Sequence, residues 1–353
     1  MTAGIYLDAY LSALAPWLSR DDVTDLLINR PGEVWVETDR GELTCIPAPQ
    51  VTEQVLSRLA RQIAAASHQG VNREQPLLSA TLPDGARVQI ISPPATRHGM
   101  VVAIRKHVIS DLSVDDLARL GLFDDGEAPS RQVDGDAHLA GLHQSGDMPA
   151  FLKAAVCARK TIVISGGTST GKTTLLNALV REIDPRERLI VIEDAPEIRL
   201  DHPNVVGLIA VRGDQGEAQV DADDLLRASL RMRPDRILLG ELRGREAFAF
   251  MRAVNSGHPG SITTVHADSP QGAIDQIALL AMTSGLDLGW DKIQTYVRRV
   301  VDVVVQLDRH EGKRRVAEVQ FLAGTTPVFQ SVPAKVLPGT VPDLLNNLSE
   351  RFA

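Results

Sequence analysis

The chain has 353 residues, 44% of them hydrophobic and 23% charged, enough length for two domains at roughly 100–200 residues each. That apolar content excludes a disordered chain, which cannot bury enough surface to offset its ordering entropy. With 37 Lys and Arg against 45 Asp and Glu the net charge is −8, which argues against a protein that grips nucleic acid mainly by neutralising phosphates. In chain order, residues 5–18 and 21–28 have helical spacing. Residues Glu33 to Glu37 alternate as a strand and lead into a turn at Asp39-Arg40-Gly41. Val51, Val55, Leu56, Leu59 and Ile63 fall on one face of a helix over 51–66. Strands are expected at 87–91 and 101–105, on either side of the turn-rich SPPATRHG. Together these define a small α+β domain over residues 1–108.

Residues 109–149 read as a linker. A short helix at 113–120 is followed by a Gly-, Asp- and Pro-rich stretch, 121–149, with no sustained period. From 150 to 330, strands at 161–165, 188–192, 205–211, 236–240, 261–265 and 300–307 alternate with helices at 172–183, 222–232, 244–256 and 270–283. Such alternation predicts an α/β domain with a largely parallel sheet covered by helices on both faces. A hairpin across Arg309–Lys313 closes it, and the tail 331–353 carries no pattern. The two cysteines, Cys45 and Cys157, are far apart and in no ligand spacing, so reduced thiols in a cytoplasmic protein are expected and no zinc site. No apolar run approaches the roughly 20 residues of a membrane-spanning helix. Asp8 sits where a signal peptide keeps bare hydrophobes.

The chemistry concentrates in the second domain. The run Thr161-Ile-Val-Ile-Ser165 feeds Gly166-Gly167-Thr168-Ser169-Thr170-Gly171-Lys172-Thr173-Thr174, a G-x-x-x-x-G-K-[ST] phosphate loop between a strand and a helix. Its glycines let successive N–H groups turn inward around phosphate oxygens, and the following helix adds its positive end. Lys172 is expected on the β and γ phosphates of ATP, with the Thr173 hydroxyl on Mg²⁺. A parallel sheet puts the C-terminal ends of its strands on the same rim as the loop. Glu193 and Asp194 follow one strand there, Glu241 ends another and His266 ends a third. Each acid alone could equally cap the next helix, and His258, at the opposite end of its strand, is as readily a packing residue.

ISGGTSTGKTTLLNAL, LIVIEDAPEI, LRMRPDRILLGELRGREA and SGHPGSITTVHA occur here in the order found in the secretion ATPase superfamily. That superfamily spans type II secretion, type IV pilus assembly and retraction, and type IV secretion. Its members carry glycine where most P-loop proteins have the Walker B aspartate, and Gly240 stands there with Glu241 after it. LPDGARVQIISPP followed by VVAIRK makes the chain most similar to the VirB-type traffic ATPases of type IV secretion and conjugation machines, over about residues 20–320. The resemblance implies a RecA-like P-loop domain and a first domain that closes over ATP. It also implies a homohexamer working with inner-membrane components of a secretion channel. It gives Glu193 the task of orienting water, Glu241 that of supporting Mg²⁺, and His266 that of linking phosphate state to domain movement. Arg87 and Arg105 match the family's phosphate-facing positions in the first domain. A pilus motor of the same superfamily, a RecA-like nucleic-acid translocase and a nucleotide-gated scaffold without turnover are the alternatives.

Overall fold

The structure, a computed structural model, describes residues 11–106, 113–119, 131–211, 216–285 and 287–322. Among these, β1 (Val23–Ile28), β2 (Gly32–Thr38), β3 (Leu43–Ala48), β4 (Leu77–Thr81), β5 (Arg87–Ile91) and β6 (Val101–Arg105) form an antiparallel sheet in the order β3-β2-β1-β6-β5-β4. One face takes the helix Glu53–Ala66, capped by Thr52 Oγ1 accepting from the Val55 N–H at 3.3 Å. Its Leu56, Leu59 and Ile63 pack with Leu26, Ile28, Val88, Ile90, Val102 and Ile104. Residues of opposite parity, Leu27, Ile91, Val101 and Ala103, pack instead with Ile190, Leu208, Leu226 and Met232 of the second sheet's layer.

That two-sided burial explains a correction. The spacing of Val23, Leu26 and Leu27 predicts a helix over 21–28, but the segment is strand β1, with five of its six residues buried. A strand covered on both faces loses its alternation and reads as a continuous apolar run. Strands β3 and β4 were not anticipated. The expected helix over 5–18 is seen as a turn of helix at Ala15–Leu18, and residues 1–10 lie outside the described residues.

The second sheet runs β13-β12-β7-β11-β10-β8-β9, built from β7 (Ile162–Gly166), β8 (Leu189–Glu193), β9 (Val205–Ile209), β10 (Arg236–Leu239), β11 (Ile262–Val265), β12 (Val303–His310) and β13 (Lys313–Phe321). Every pairing is parallel except the closing hairpin β12–β13. Strands β7, β8, β10 and β11 are buried along their whole length, as strands with helices on both faces must be. The segment read as a linker holds the helix Arg131–Ser145, which leads into Met148–Cys157. Residues 120–130 and the tail 323–353 lie outside the described residues. The helix Trp290–Val300 was not foreseen either.

A buried polar cluster joins the two sheets. The Arg188 guanidinium, ahead of β8, donates from Nη1 to Asn29 Oδ1 at 2.6 Å and Asn204 Oδ1 at 2.7 Å, and from Nε to the Met232 carbonyl at 2.9 Å. Asn29 Nδ2 in turn donates to Asn204 Oδ1 at 2.9 Å. Burial, with Arg233 adding, pulls Arg188 down to about 9 against the carboxylates of Asp235, Asp25 and Glu37, so it stays charged at neutral pH. Arg233 ties Glu37 of β2 to Asp235, 2.7 Å away. Truncating Arg188 leaves Asn29 Oδ1 without this donor and Asn204 Oδ1 with the Asn29 amide alone, at a cost of about 2 kcal/mol. Arg188→Ala should therefore lower the unfolding free energy measured by urea titration by that amount; a change below about 0.5 kcal/mol would mean the cluster contributes nothing net.

Candidate active site

The loop between β7 and the helix Lys172–Val180 is wound tightly. Ser169 adopts φ 61° and Gly171 φ 101°, left-handed values that turn consecutive N–H groups toward one point. At Gly171 a side chain would be strained by that φ, and its Cβ would press the Arg314 Cδ at 3.3 Å. Thr170 Oγ1 donates to the Gly167 carbonyl at 2.9 Å and pins the turn. Lys172 Nζ curls over the loop, donating to the carbonyls of Gly166 at 2.8 Å and Gly167 at 3.1 Å. Both ring nitrogens of His266 lie 3.4 Å from it. Burial pulls the ammonium below the ordinary lysine value; Glu241 opposes the shift and Arg243 adds to it.

The neighbouring strand tips supply the acids. Thr168 to Thr174 line a cavity of about 500 Å³ together with Glu193, Asp194, Glu197, Glu241, His266 and Arg314. Thr173 Oγ1 donates to Glu197 Oε2 at 2.9 Å. Glu241 pairs with Arg243, and its other oxygen, Oε1, stands 2.9 Å from His266 Nε2. Glu193 is almost wholly buried. Its Oε1 accepts the N–H groups of Glu197 at 2.9 Å and Ile198 at 2.7 Å, and its Oε2 pairs with Arg97. Burial pushes this carboxyl up, while those two N–H groups and the Arg97 charge pull the other way. Gly240 gives Glu193 its room, because a Cβ there would lie 3.2 Å from the Glu193 Cγ.

Thr168 to Thr174, with Glu193, Glu241 and His266, line this cavity, while Gly166 and Gly167 touch the site through their carbonyls, which accept from Lys172 Nζ. Arg87 and Arg105 do not. They lie at the far ends of β5 and β6 and line a separate cavity of about 470 Å³ with Asp25, Arg231 and Arg233. His258 is also remote, its Nδ1 2.8 Å from the Ala253 carbonyl. Three residues of the site were missed: Glu197, Arg97 and Arg314. For Glu197 the only signal was its place in the acidic run LIVIEDAPEI. Arg97 and Arg314 arrive through loop and hairpin packing that no local spacing records.

The donor set suits Mg²⁺. Thr173, Asp194, Glu197 and Glu241 offer only oxygen, which this ion prefers, and it is usually held by one or two carboxylates together with substrate phosphates. Among the described residues no cluster of three or more His, Cys, Asp or Glu could hold a metal ion unaided.

A strand-fed phosphate loop, ringed by acids on adjacent tips of a parallel sheet, defines a P-loop protein of the α/β class. The chain belongs to the family described as Type II/IV secretion system protein, which it matches over residues 11–332. It is 39% identical over 328 residues to the type IV secretion system protein VirB11 of Bartonella henselae, covering 88% of this chain and 91% of that one. To the type IV secretion system protein PtlH of Bordetella pertussis it is 40% identical over 326 residues, covering 90% and 96%. The crystal structure of the VirB11 ATPase from the Brucella suis type IV secretion system, in complex with sulphate, superposes with a TM-score of 0.83 at 37% identity, covering 90% of this chain and 95% of that one. Among the described residues, no helix is long and apolar enough to cross a membrane.

Proposed function

We propose that the chain is a Mg²⁺-dependent ATPase of a type IV secretion or conjugation machine, converting ATP and water to ADP and phosphate. The observation that carries the reading is the single cavity in which Lys172, Thr173, Glu193, Glu241 and His266 surround an inward-turned phosphate loop. Similarity to VirB11 and PtlH along nearly their whole length supports the type IV secretion branch. In this reading Lys172 and the loop N–H groups hold the triphosphate. Mg²⁺ bound by Thr173 and Glu241 would offset charge building on the phosphoryl oxygens. Glu193 orients the attacking water. His266, between Lys172 and Glu241, feels the γ-phosphate through both.

The working form in this proposal is a cytoplasmic homohexamer that meets the inner face of the membrane through channel components. Residues 1–108 form the moving first domain, 109–149 the linker, 150–330 the ATPase domain and 331–353 a tail. Arg87 and Arg105 favour such a ring. They stand directly opposite one another across β5 and β6, and like charges so placed destabilise a strand pair. Asp25, opposite Arg105 on β1, offsets part of that penalty, and a bound anion would offset more. Their own chain's phosphate loop lies elsewhere, so a neighbouring subunit's triphosphate fits, with the guanidinium groups arriving as the domains close. The reading is tested by measuring the mass of the purified protein with ATP and Mg²⁺ alongside phosphate release. Turnover by a hexameric species is expected. A strict monomer that binds ATP without hydrolysing it would favour a nucleotide-gated scaffold.

A further inference from the structure

The first domain reaches into the acidic turn behind the phosphate loop through the side chain of Arg97. Residues 95–97 lie along the free edge of β9: the Ile209 N–H donates to the Ala95 carbonyl at 2.9 Å, and the Arg97 N–H donates to the Gly207 carbonyl at 3.0 Å. Gly207 permits this approach, since a Cβ there would come within 2.7 Å of the Arg97 Cδ and 2.6 Å of the Leu200 Cδ1. From that edge the Arg97 guanidinium turns inward, 11% exposed, and pairs with Glu193, whose side chain is 3% exposed. Its Nη1 also donates to the Ile198 carbonyl at 2.7 Å. Arg97 thus binds both ends of the turn 193–198, and Glu193 closes the same turn by accepting the N–H groups of Glu197 and Ile198.

The far side of that turn faces the nucleotide cavity. Glu197 Oε2 accepts from Thr173 Oγ1 at 2.9 Å, and the Glu197 carbonyl accepts from Asn177 Nδ2 at 3.2 Å. Asn177 Oδ1 in turn accepts the Arg199 N–H at 2.8 Å. A continuous run of hydrogen bonds therefore leads from the first domain's 95–97 loop, through Arg97, Glu193 and Glu197, to the residue after the phosphate-loop lysine. An arginine suits this place because its planar fork can hold a carboxylate and a carbonyl at once, which a lysine ammonium does less well.

We propose that Arg97 is a positioning residue for ATP hydrolysis: it fixes the acidic turn 193–198 against Thr173, so that the seating of the first domain on β9 sets the hydrolytic geometry. The proposal rests on the ATPase reading above. Arg97 touches no reacting atom, so its loss should act on turnover rather than on nucleotide affinity. In Arg97→Met, kcat for ATP should fall on the order of tenfold, the scale of a small misplacement transmitted to a reacting centre, with KM within about twofold. Arg97→Lys should recover part of the loss. Hydrogen–deuterium exchange over residues 193–199 should quicken in Arg97→Met while the helix Trp290–Val300 exchanges as in the parent.

A kcat equal to the parent's in Arg97→Met overturns the proposal, as does unchanged exchange over 193–199. A KM rising in step with the loss of kcat also overturns it, because that marks a binding role. Should Arg97→Met fail to fold, Arg97→Lys decides: reduced kcat at constant KM supports the proposal and an unchanged kcat overturns it. If the parent protein shows no ATP turnover at all, the ATPase reading fails, while the exchange comparison still reports whether Arg97 holds the turn.

Discussion

Lys172→Ala should abolish ATP turnover, lowering kcat/KM by about 10³-fold, the upper range for losing one preorganised electrostatic contact to a developing charge. Lys172 is the one ammonium among the residues lining the phosphate-loop cavity, and the carbonyls of Gly166 and Gly167 already aim it at the loop's centre. Burial lowers its proton affinity, so a triphosphate entering beside it stabilises the charged form and is itself stabilised. Arginine should rescue poorly. Its larger planar head needs a different approach from the point charge that curls between two carbonyls and the His266 ring. The fold should survive the change, since Lys172 is only partly buried and belongs to none of the three apolar clusters. Phosphate release at saturating ATP and Mg²⁺ measures the effect. A rate within about threefold of the parent, less than 1 kcal/mol of barrier, would mean that the cavity is not where the triphosphate reacts.

The parts of this site that are local in sequence were legible, and the parts assembled by packing were not. Strands β5 and β6 and the strand–loop–helix around Lys172 declare themselves because apolar pattern, glycines and lysine fall within a few residues of one another. Glu241 and His266 follow from the rule that parallel strand tips share a rim. Segment 21–28 failed because burial on both faces hides the period of two. The helix Arg131–Ser145 failed because Gly135, Gly141 and the scattered acids leave it with almost no apolar face, and its contacts with Met148–Cys157 stabilise it instead. Arg87 and Arg105 were recognisable as charges at strand ends, yet the cavity they line depends on how the first domain sits, which no spacing encodes. Arg97 lies in a turn-rich stretch that gave no hint of where its guanidinium ends.

The same division explains why Glu193 and Glu241, equivalent in sequence as acids ending apolar strands, are unequal in the fold. Glu241 remains at the cavity wall with partners, Arg243 and His266, that are both about half exposed in their side chains. Glu193 is committed on both oxygens, to two backbone N–H groups and to the buried end of Arg97. An acid so placed keeps its orientation while Arg97 of the first domain stays seated on it. Burial also raises the proton affinity of Glu193, the direction a general base needs.

Glu193→Gln should therefore cut hydrolysis by about 10²-fold while leaving ATP binding intact. The amide has one acceptor oxygen where the carboxylate has two. If that oxygen keeps the N–H groups of Glu197 and Ile198, the amide nitrogen must face the Arg97 guanidinium, donor against donor. If it turns to Arg97, the two N–H groups lose their acceptor. Either way the turn loses a bond and the site loses its buried negative charge, and no arrangement of glutamine restores both. Glu193→Asp tests the geometry separately: it keeps the charge but falls one methylene short of spanning from the turn to Arg97, so it too should turn over slowly. The measurement is single-turnover phosphate release beside equilibrium binding of ATP. Parent-like rates in Glu193→Gln would move the water-orienting role to another acid of the cavity, with Glu197, bonded to Thr173 Oγ1, the next to be changed.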